Sequence, residues 1–242
     1  MNRRLSRRNS GPRRHQPNGL VILYEDRDII VVKKAPGLLT IATDTDRVRT
    51  AYHLMTDYVR RGIAKSRERV FIVHRLDRDT SGVLVFARTE AAKRQLQAHW
   101  DKTEKHYLAV VHGRLAKKEG SITSYLTENR AFRVYSTPDP LKGLLSRTAF
   151  RVIGEMREFS VLDIVLLTGR KHQIRVHLSE QGHPVVGDSK YGRHDDPCKF
   201  LALHARSIAI DHPVTGERMT FEAEVPAYFD RWRQLGASAG LW

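Results

Sequence analysis

The chain has 242 residues, of which 40% are hydrophobic and 29% are charged. This length is sufficient to bury a substantial core without disulfides, and the composition excludes a mostly disordered or collagen-like chain. No run of about 18 apolar residues occurs, so we expect no membrane contact. The 42 Lys and Arg residues outnumber the 27 Asp and Glu residues, and the net charge of +15 predicts a nucleic acid as the partner.

Residues 1–18 contain six arginines, no acidic residue and almost no apolar residue. We expect this segment to be a disordered basic arm, because it has too little apolar surface to bury. It lacks the apolar core of a secretory signal and the apolar stripe of an organelle-targeting peptide. Residues 19–242 still have a net charge of +9, so the arm alone does not explain the charge. Cys198 is the only cysteine, which excludes an intramolecular disulfide and fits a reducing cytoplasm.

The first half of the body alternates short apolar runs with turn signals. Helical spacing of apolar residues predicts a helix over 49–61, with Thr50 near its start and Gly62 at its end. Thr89 is a favourable N-cap for a second helix, whose apolar positions continue to Trp100. Strands are predicted at 20–24, 28–32, 70–73 and 83–87, the first two as a hairpin.

In the second half of residues 19–242, short apolar runs again alternate with turn signals. A helix is predicted over 171–181, closed by Gly182, and a short amphipathic helix carries Phe229, Trp232 and Leu235. Strands are predicted at 107–111, 148–152, 160–167, 207–210 and 219–225. Because consecutive strands are joined by short turns, the pattern predicts an α+β fold with a mixed, mostly antiparallel central sheet and a few flanking helices.

A strongly charged segment, HRLDRDTSG at residues 74–82, lies between two predicted strands. Two Arg, two Asp and one His cannot be buried without partners, because each buried charge would cost several kcal/mol. The segment is therefore either a solvated surface turn or a loop assembled around a ligand. For an arbitrary charged turn, the surface turn is the simpler interpretation.

Further motifs favour the loop assembled around a ligand. They are KHYLAVVHG at 105–113, GRKHQIRVHL at 169–178 and GDSKYG at 187–192. Together with HRLDRDTSG they resemble the motifs of the RluA-type family of RNA pseudouridine synthases. The motifs occur in the order found in that family, and the resemblance extends from about residue 20 to about residue 229. The resemblance implies the pseudouridine synthase fold, with 19–242 as one catalytic domain. Many members of the family also carry a separate amino-terminal RNA-binding head, whereas here we expect only the short arm before the catalytic domain. It also implies isomerisation of specific uridines to pseudouridine in structured RNA, either large-subunit ribosomal RNA or transfer RNA.

The resemblance also implies roles for individual residues. Asp77 is the expected nucleophile, and Asp79 is the rival carboxylate; Asp77 could attack the sugar or the base, or first take a sugar proton. Tyr107 would stack on the uracil with its hydroxyl near the site of proton removal, and Arg175 would pair with Asp77 and favour its ionised form. Each also has a simpler interpretation, Tyr107 as a packing aromatic and Arg175 as a solvated helix residue. The expected contacts to RNA are Arg75, Arg170, Arg78 and His74.

The isomerisation involves no net redox change, so we expect no cofactor. We also expect no metal, because His172 and His177 are five residues apart and lack the i, i+4 spacing of a zinc helix. The other candidate ligands are interpreted as parts of a polar loop; they are Asp188, His194, Asp195 and Asp196. Two other functions remain open: a non-catalytic RNA-binding or ribosome-assembly factor, and a glycosidase or nuclease. We expect a cytoplasmic monomer with no obligate protein partner.

Overall fold

The computed structural model describes residues 16–42, 50–63, 65–196 and 198–232. Most of the expected basic arm lies outside the described residues, and so does Leu235. The chain divides into two compact units. The first contains Met1–Thr103 and Ser207–Ala223, and the second contains Glu104–Arg206 and Glu224–Trp242. That residues 19–242 act as one catalytic domain stays a prediction.

The described residues contain 11 strands and three α-helices. The strands are β1 (Leu20–Glu25), β2 (Ile29–Lys34), β3 (Phe71–Ile72), β4 (Ser81–Ala87), β5 (Glu104–His112), β6 (Glu119–Glu128), β7 (Val134–Thr137), β8 (Leu144–Glu155), β9 (Phe159–Leu166), β10 (Leu203–Asp211) and β11 (Arg218–Glu222). The helices are α1 (Ala51–Arg60), α2 (Glu90–Ala98) and α3 (Gln173–Glu180). None of the helices in the described ranges is long and apolar enough to cross a membrane.

The first unit is built on antiparallel pairs. β2 pairs with β1 on one side and with β4 on the other, β3 also pairs with β4, and β10 forms a hairpin with β11. Every side chain of β4 is buried, so this strand is covered on both faces. Ile29, Val31 and Val85 pack in one core cluster with Leu96 of α2 and Phe221 of β11.

The two helices of the first unit begin where the sequence predicts. The Thr50 side chain accepts a hydrogen bond from the backbone N–H of His53 and caps α1, which ends at Arg61 in the left-handed region rather than at Gly62. The Thr89 side chain caps α2 in the same way. α2 ends at Ala98, so Trp100 lies outside it and begins a short 3₁₀ turn instead.

The second unit contains an antiparallel sheet in the order β5-β9-β8-β6-β7. β6 and β7 have no counterpart among the predicted strands. The predicted helix over 171–181 is confirmed as α3, and Gly182 follows it with a positive φ of 81°. The mostly antiparallel α+β class is confirmed.

Candidate active site

Residues 74–80 of the charged segment form a loop of the first unit between β3 and β4, and its last two residues begin β4. Its anchor is Leu76, whose side chain is buried. The Thr40 hydroxyl donates to the Leu76 carbonyl (2.8 Å) and accepts from the Leu76 N–H (3.1 Å). One buried side chain therefore fixes the backbone immediately before Asp77.

A buried lysine fixes the backbone immediately after Asp77. The Lys34 ammonium donates to three carbonyl oxygens, those of Ala35 (2.9 Å), Leu38 (2.8 Å) and Arg78 (2.9 Å). Burial lowers the pKa of Lys34 to about 7, although the charges of Asp79 and Asp77 favour the protonated form. The loop is thus tied to the end of β2 by a fully buried side chain.

Asp77 is half-buried between these two attachments, and its carbonyl accepts from the Thr80 N–H at 3.2 Å. Arg75 and Arg78 are exposed on either side of it. The Arg78 Nε makes a long hydrogen bond of 3.4 Å to the Gly37 carbonyl. The Asp77 carboxylate therefore lies between two exposed guanidinium groups, a suitable arrangement for a polyanionic substrate, and the half-buried Asp79 belongs to the same loop.

His74 has a structural contact that the sequence does not reveal. Its Nε2 accepts a hydrogen bond from the Val85 N–H at 3.0 Å, and its ring lies 4.8 Å from the Trp100 ring. Nε2 is therefore engaged with β4, and the expected contact of His74 with RNA stays a prediction.

The other expected catalytic residues, Tyr107 and Arg175, belong to the second unit. Tyr107 is largely buried on β5, opposite Ile164 of β9, which pairs in turn with Phe150 of β8. Side chains of cross-strand partners share a face, and residues two apart along a strand return to it, so Tyr107 and Thr148 lie on the same face.

α3 covers that face of the sheet. Gln173 Nε2 donates to the Thr148 hydroxyl (2.9 Å), and His177 Nδ1 also hydrogen-bonds it (2.9 Å). Burial lowers the pKa of His177, which favours the neutral ring. Arg175 is carried by the same helix, about 200° around its axis from Gln173.

Arg175 has a carboxylate partner in its own unit. Its Nε and Nη2 donate to Asp188 Oδ2 (2.7 Å) and Oδ1 (2.8 Å), a bidentate pair in which Arg175 is 6% exposed and the Asp188 side chain 0%. Burial would raise the pKa of Asp188, but hydrogen bonding and charge from Arg175 lower it below its ordinary value. The GDSKYG motif singles out the segment that contains Asp188, but nothing in the sequence indicates that Asp188 pairs with Arg175. Arg170, by contrast, is exposed just before α3.

Several of the residues weighed as metal ligands make hydrogen bonds with protein groups. His172 Nδ1 bonds the Tyr191 hydroxyl (2.8 Å), and His112 Nε2 bonds Asp196 Oδ2 (2.7 Å). Within the described ranges, the carboxylate and imidazole atoms of Asp26, Asp28 and His212 are close enough to one another to hold a metal ion. These atoms lie in a polar turn network in which Asp26 accepts from two backbone N–H groups, from the Tyr24 hydroxyl at 2.8 Å and from His212 Nε2 at 3.0 Å.

Comparison with known proteins agrees with this fold and these motifs. Residues 28–180 match the family described as RNA pseudouridylate synthase. The dual-specificity RNA pseudouridine synthase RluA of Haemophilus influenzae is 32% identical over 213 residues, which are 85% of this chain and 93% of that protein. The ribosomal large subunit pseudouridine synthase D of Nitrosomonas europaea is 34% identical over 220 residues, 86% of this chain and 62% of that protein.

A solved structure, human RNA pseudouridylate synthase domain containing 4, has the same fold. Its TM-score is 0.73 at 20% identity, and the match covers 89% of this chain and 92% of that one. The chain belongs to the RNA pseudouridylate synthase family. It is accordingly an RNA pseudouridine synthase, an isomerase whose substrate is RNA, and the predicted family, fold class and activity are confirmed.

Proposed function

We propose that Asp77 is the nucleophile with which this enzyme isomerises uridine. The observation that carries this assignment is the double attachment of its backbone, through Thr40 on one side and Lys34 on the other. A reacting group held in one geometry avoids the entropic cost of being oriented during the reaction. Asp79, two residues further on, is the rival carboxylate.

The reaction breaks the N1–C1′ glycosidic bond, turns the base, joins C5 to C1′ and removes the proton from C5. N1 gains a proton, so the product is an isomer of the substrate. An ionised carboxylate is sufficient for the covalent step, and no oxidant, reductant or cofactor is needed to balance it. We assign the Tyr107 ring to stacking on the uracil, its hydroxyl to proton removal, and Arg175 to favouring the ionised form of Asp77. Both roles rest on the motifs that carry these residues.

The exposed arginines of the two units are the proposed contacts to RNA phosphates. They are Arg75 and Arg78 beside Asp77 and Arg170 before α3, and we keep His74 as a weaker candidate because its Nε2 is engaged. The net charge of +15 favours a structured, highly charged RNA. We therefore propose large-subunit ribosomal RNA or transfer RNA as the substrate, with the enzyme acting as a cytoplasmic monomer.

The test is pseudouridine formation on unmodified transcripts of large-subunit ribosomal RNA and transfer RNA. Carbodiimide labelling of pseudouridine followed by primer extension gives both the position and the rate. Asp77→Asn should lower the single-turnover rate by about 10³-fold or more while RNA affinity stays within a few-fold, because the side chain keeps its volume but loses its charge.

Asp79→Asn is the matched control, since it removes the neighbouring carboxylate from the same loop. Its rate should stay within a few-fold of wild type. A near wild-type rate for Asp77→Asn, or a loss confined to Asp79→Asn, contradicts the assignment. Tight RNA binding by the wild type without pseudouridine on either RNA would favour an RNA-binding or assembly factor.

A further inference from the structure

We propose that Asp188 and Tyr191 are positioning residues that fix the Arg175 guanidinium for the uridine reaction. Both belong to the turn at 187–192, defined here as the arginine cradle. The inference rests on the proposed role of Arg175 and adds two residues that act through it. Neither the charge pattern nor the order of the motifs indicates this contact.

Asp188 holds one edge of the guanidinium. The bidentate pair engages two of the five N–H groups of Arg175, on Nε and Nη2. The carboxylate is itself fixed, because Oδ1 also accepts from the backbone N–H groups of Lys190 (2.9 Å) and Tyr191 (3.0 Å). The plane of the guanidinium and the directions of its other three N–H groups follow from this one contact.

Tyr191 holds the face of the same group. The Arg175 guanidinium carbon lies 5.2 Å from the centre of the Tyr191 ring, within the range of a cation–π contact. The ring is oriented by its hydroxyl, which accepts from the Val134 N–H (3.0 Å) and bonds His172 Nδ1 (2.8 Å). Edge and face contacts together leave the guanidinium little freedom to turn.

Two glycines allow the backbone of the cradle to adopt this conformation. Gly187 has a φ of +75°, and a Cβ there would lie 2.0 Å from the Phe200 carbonyl oxygen. A Cβ on Gly192 would lie 2.3 Å from the Asp188 carbonyl oxygen. The Ser179 hydroxyl of α3 donates to the Tyr191 carbonyl at 2.7 Å, so the cradle is also bonded to the helix that carries Arg175.

A cradle that orients a reacting cation affects the chemical step more than the binding of RNA. Arg175 is almost fully buried, so it adds little to the long-range attraction of phosphates, which exposed arginines provide. A displacement of about 1 Å in a reacting geometry can cost about 10²-fold in rate. Loosening the cradle should therefore lower the single-turnover rate and leave RNA affinity nearly unchanged.

The principal test is Asp188→Asn, measured by single-turnover pseudouridine formation at saturating RNA, RNA affinity and the thermal midpoint. We expect a loss of about 10- to 100-fold in rate with affinity within about two-fold. In an Arg175→Lys background, which cannot make the bidentate pair, the same change should alter the rate by less than about two-fold. Equal losses in both backgrounds would overturn the inference.

Asp163→Asn is the matched control for loss of a buried carboxylate. Asp163 lies on β9 on the sheet face opposite to Ile164, near Arg206 (3.5 Å) and Arg151 (3.6 Å). It should shift the thermal midpoint without changing the rate of the folded enzyme. A rate loss in Asp163→Asn as large as that in Asp188→Asn would show a general structural effect and would overturn the inference.

Asp188→Asn leaves a buried arginine without its counter-charge and could unfold, so a second pair of variants is needed. Tyr191→Phe and Tyr191→Leu both lose the hydroxyl, and only the first keeps the ring against Arg175. A rate several-fold lower in Tyr191→Leu supports the cradle, and equal rates overturn it. If Arg175→Lys itself keeps the wild-type rate, the proposed role of Arg175 fails; if only the cradle variants keep it, the cradle alone fails.

Discussion

The position of Asp77 is fixed by two residues that are themselves buried. Thr40 and Lys34 reach the backbone on either side of it from positions 37 and 43 residues earlier in the chain. Neither residue has a role in the chemistry that we propose. The proposed nucleophile is thus held through its main chain, and its side chain is left for the reaction with the uridine.

Lys34 makes stability depend on pH in a definite direction. Its pKa of about 7 in the folded protein lies below the ordinary value of 10.5, so between these pH values the unfolded chain binds more protons. The free energy of unfolding should therefore rise with pH through this window, by about 1 kcal/mol per pH unit from this group alone.

The measurement is denaturant unfolding of wild type and Lys34→Met at pH 7, 8 and 9. The rise attributable to Lys34 should be missing from Lys34→Met, so the two curves should separate as pH increases. Parallel curves would show that the lysine does not titrate in this range.

Tyr107→Phe separates the ring from the hydroxyl. The phenyl ring still stacks on a base, so RNA affinity should be retained, whereas loss of a hydroxyl that takes part in proton removal should lower the rate by about 10²-fold or more. Single-turnover rates at saturating RNA test this, with Tyr135→Phe on the exposed surface of β7 as control. An unchanged rate would mean that Tyr107 acts through its ring alone.

At the scale of elements, features that depend on neighbouring residues were predicted well, whereas strand pairing between distant parts of the chain was not. The β1–β2 hairpin and the caps of α1 and α2 depend on neighbouring residues, and all three are confirmed. β6 was missed because its sequence, EGSITSYLTE, buries only Leu126 and therefore shows no apolar alternation. Its backbone is held instead by pairing with β7 and β8.

In the candidate site, too, local motifs were visible in the sequence and contacts between distant residues were not. The motifs indicate the candidate catalytic residues, because each motif is contiguous in the chain. The contact between Arg175 and Asp188 was missed because it joins two motifs and depends on how α3 packs. The attachment of Lys34 to the Arg78 carbonyl joins residues 44 positions apart and leaves no local trace.

Two threonines of α1 should respond in opposite ways to loss of the hydroxyl. Thr50→Ala removes the N-cap and should lower the free energy of unfolding by about 1 kcal/mol. The Thr56 hydroxyl is buried with no hydrogen-bond partner among the described residues. In Thr56→Val the free energy of unfolding should therefore stay the same or rise by a few tenths of a kcal/mol. Denaturant unfolding of both variants provides the check, and a destabilised Thr56→Val would reveal a hidden partner.

At the scale of the whole molecule, positive charge and chemistry should be separable. Deleting residues 1–15 removes six arginines but keeps Pro17, whose carbonyl accepts from the Leu20 N–H. The slope of log affinity against log salt should fall by up to about 4 to 5, and the single-turnover rate at saturating RNA should hardly change.

The control replaces the six arginines by lysines, which preserves the charge and should preserve the slope. RNA binding and single-turnover rate are measured over a range of salt for all three proteins. A large fall in the saturated rate of the truncated protein would show that the arm contributes to the active site.

The distribution of tryptophan gives each unit its own optical reporter. Trp100 lies in the first unit beside His74, at the start of the loop that carries Asp77. Trp232 lies in the second unit, buried among Phe159 and Phe229. Replacing Trp242 and one of these by Phe leaves a single emitter, so intrinsic fluorescence can follow the loop and the second unit as two separate signals.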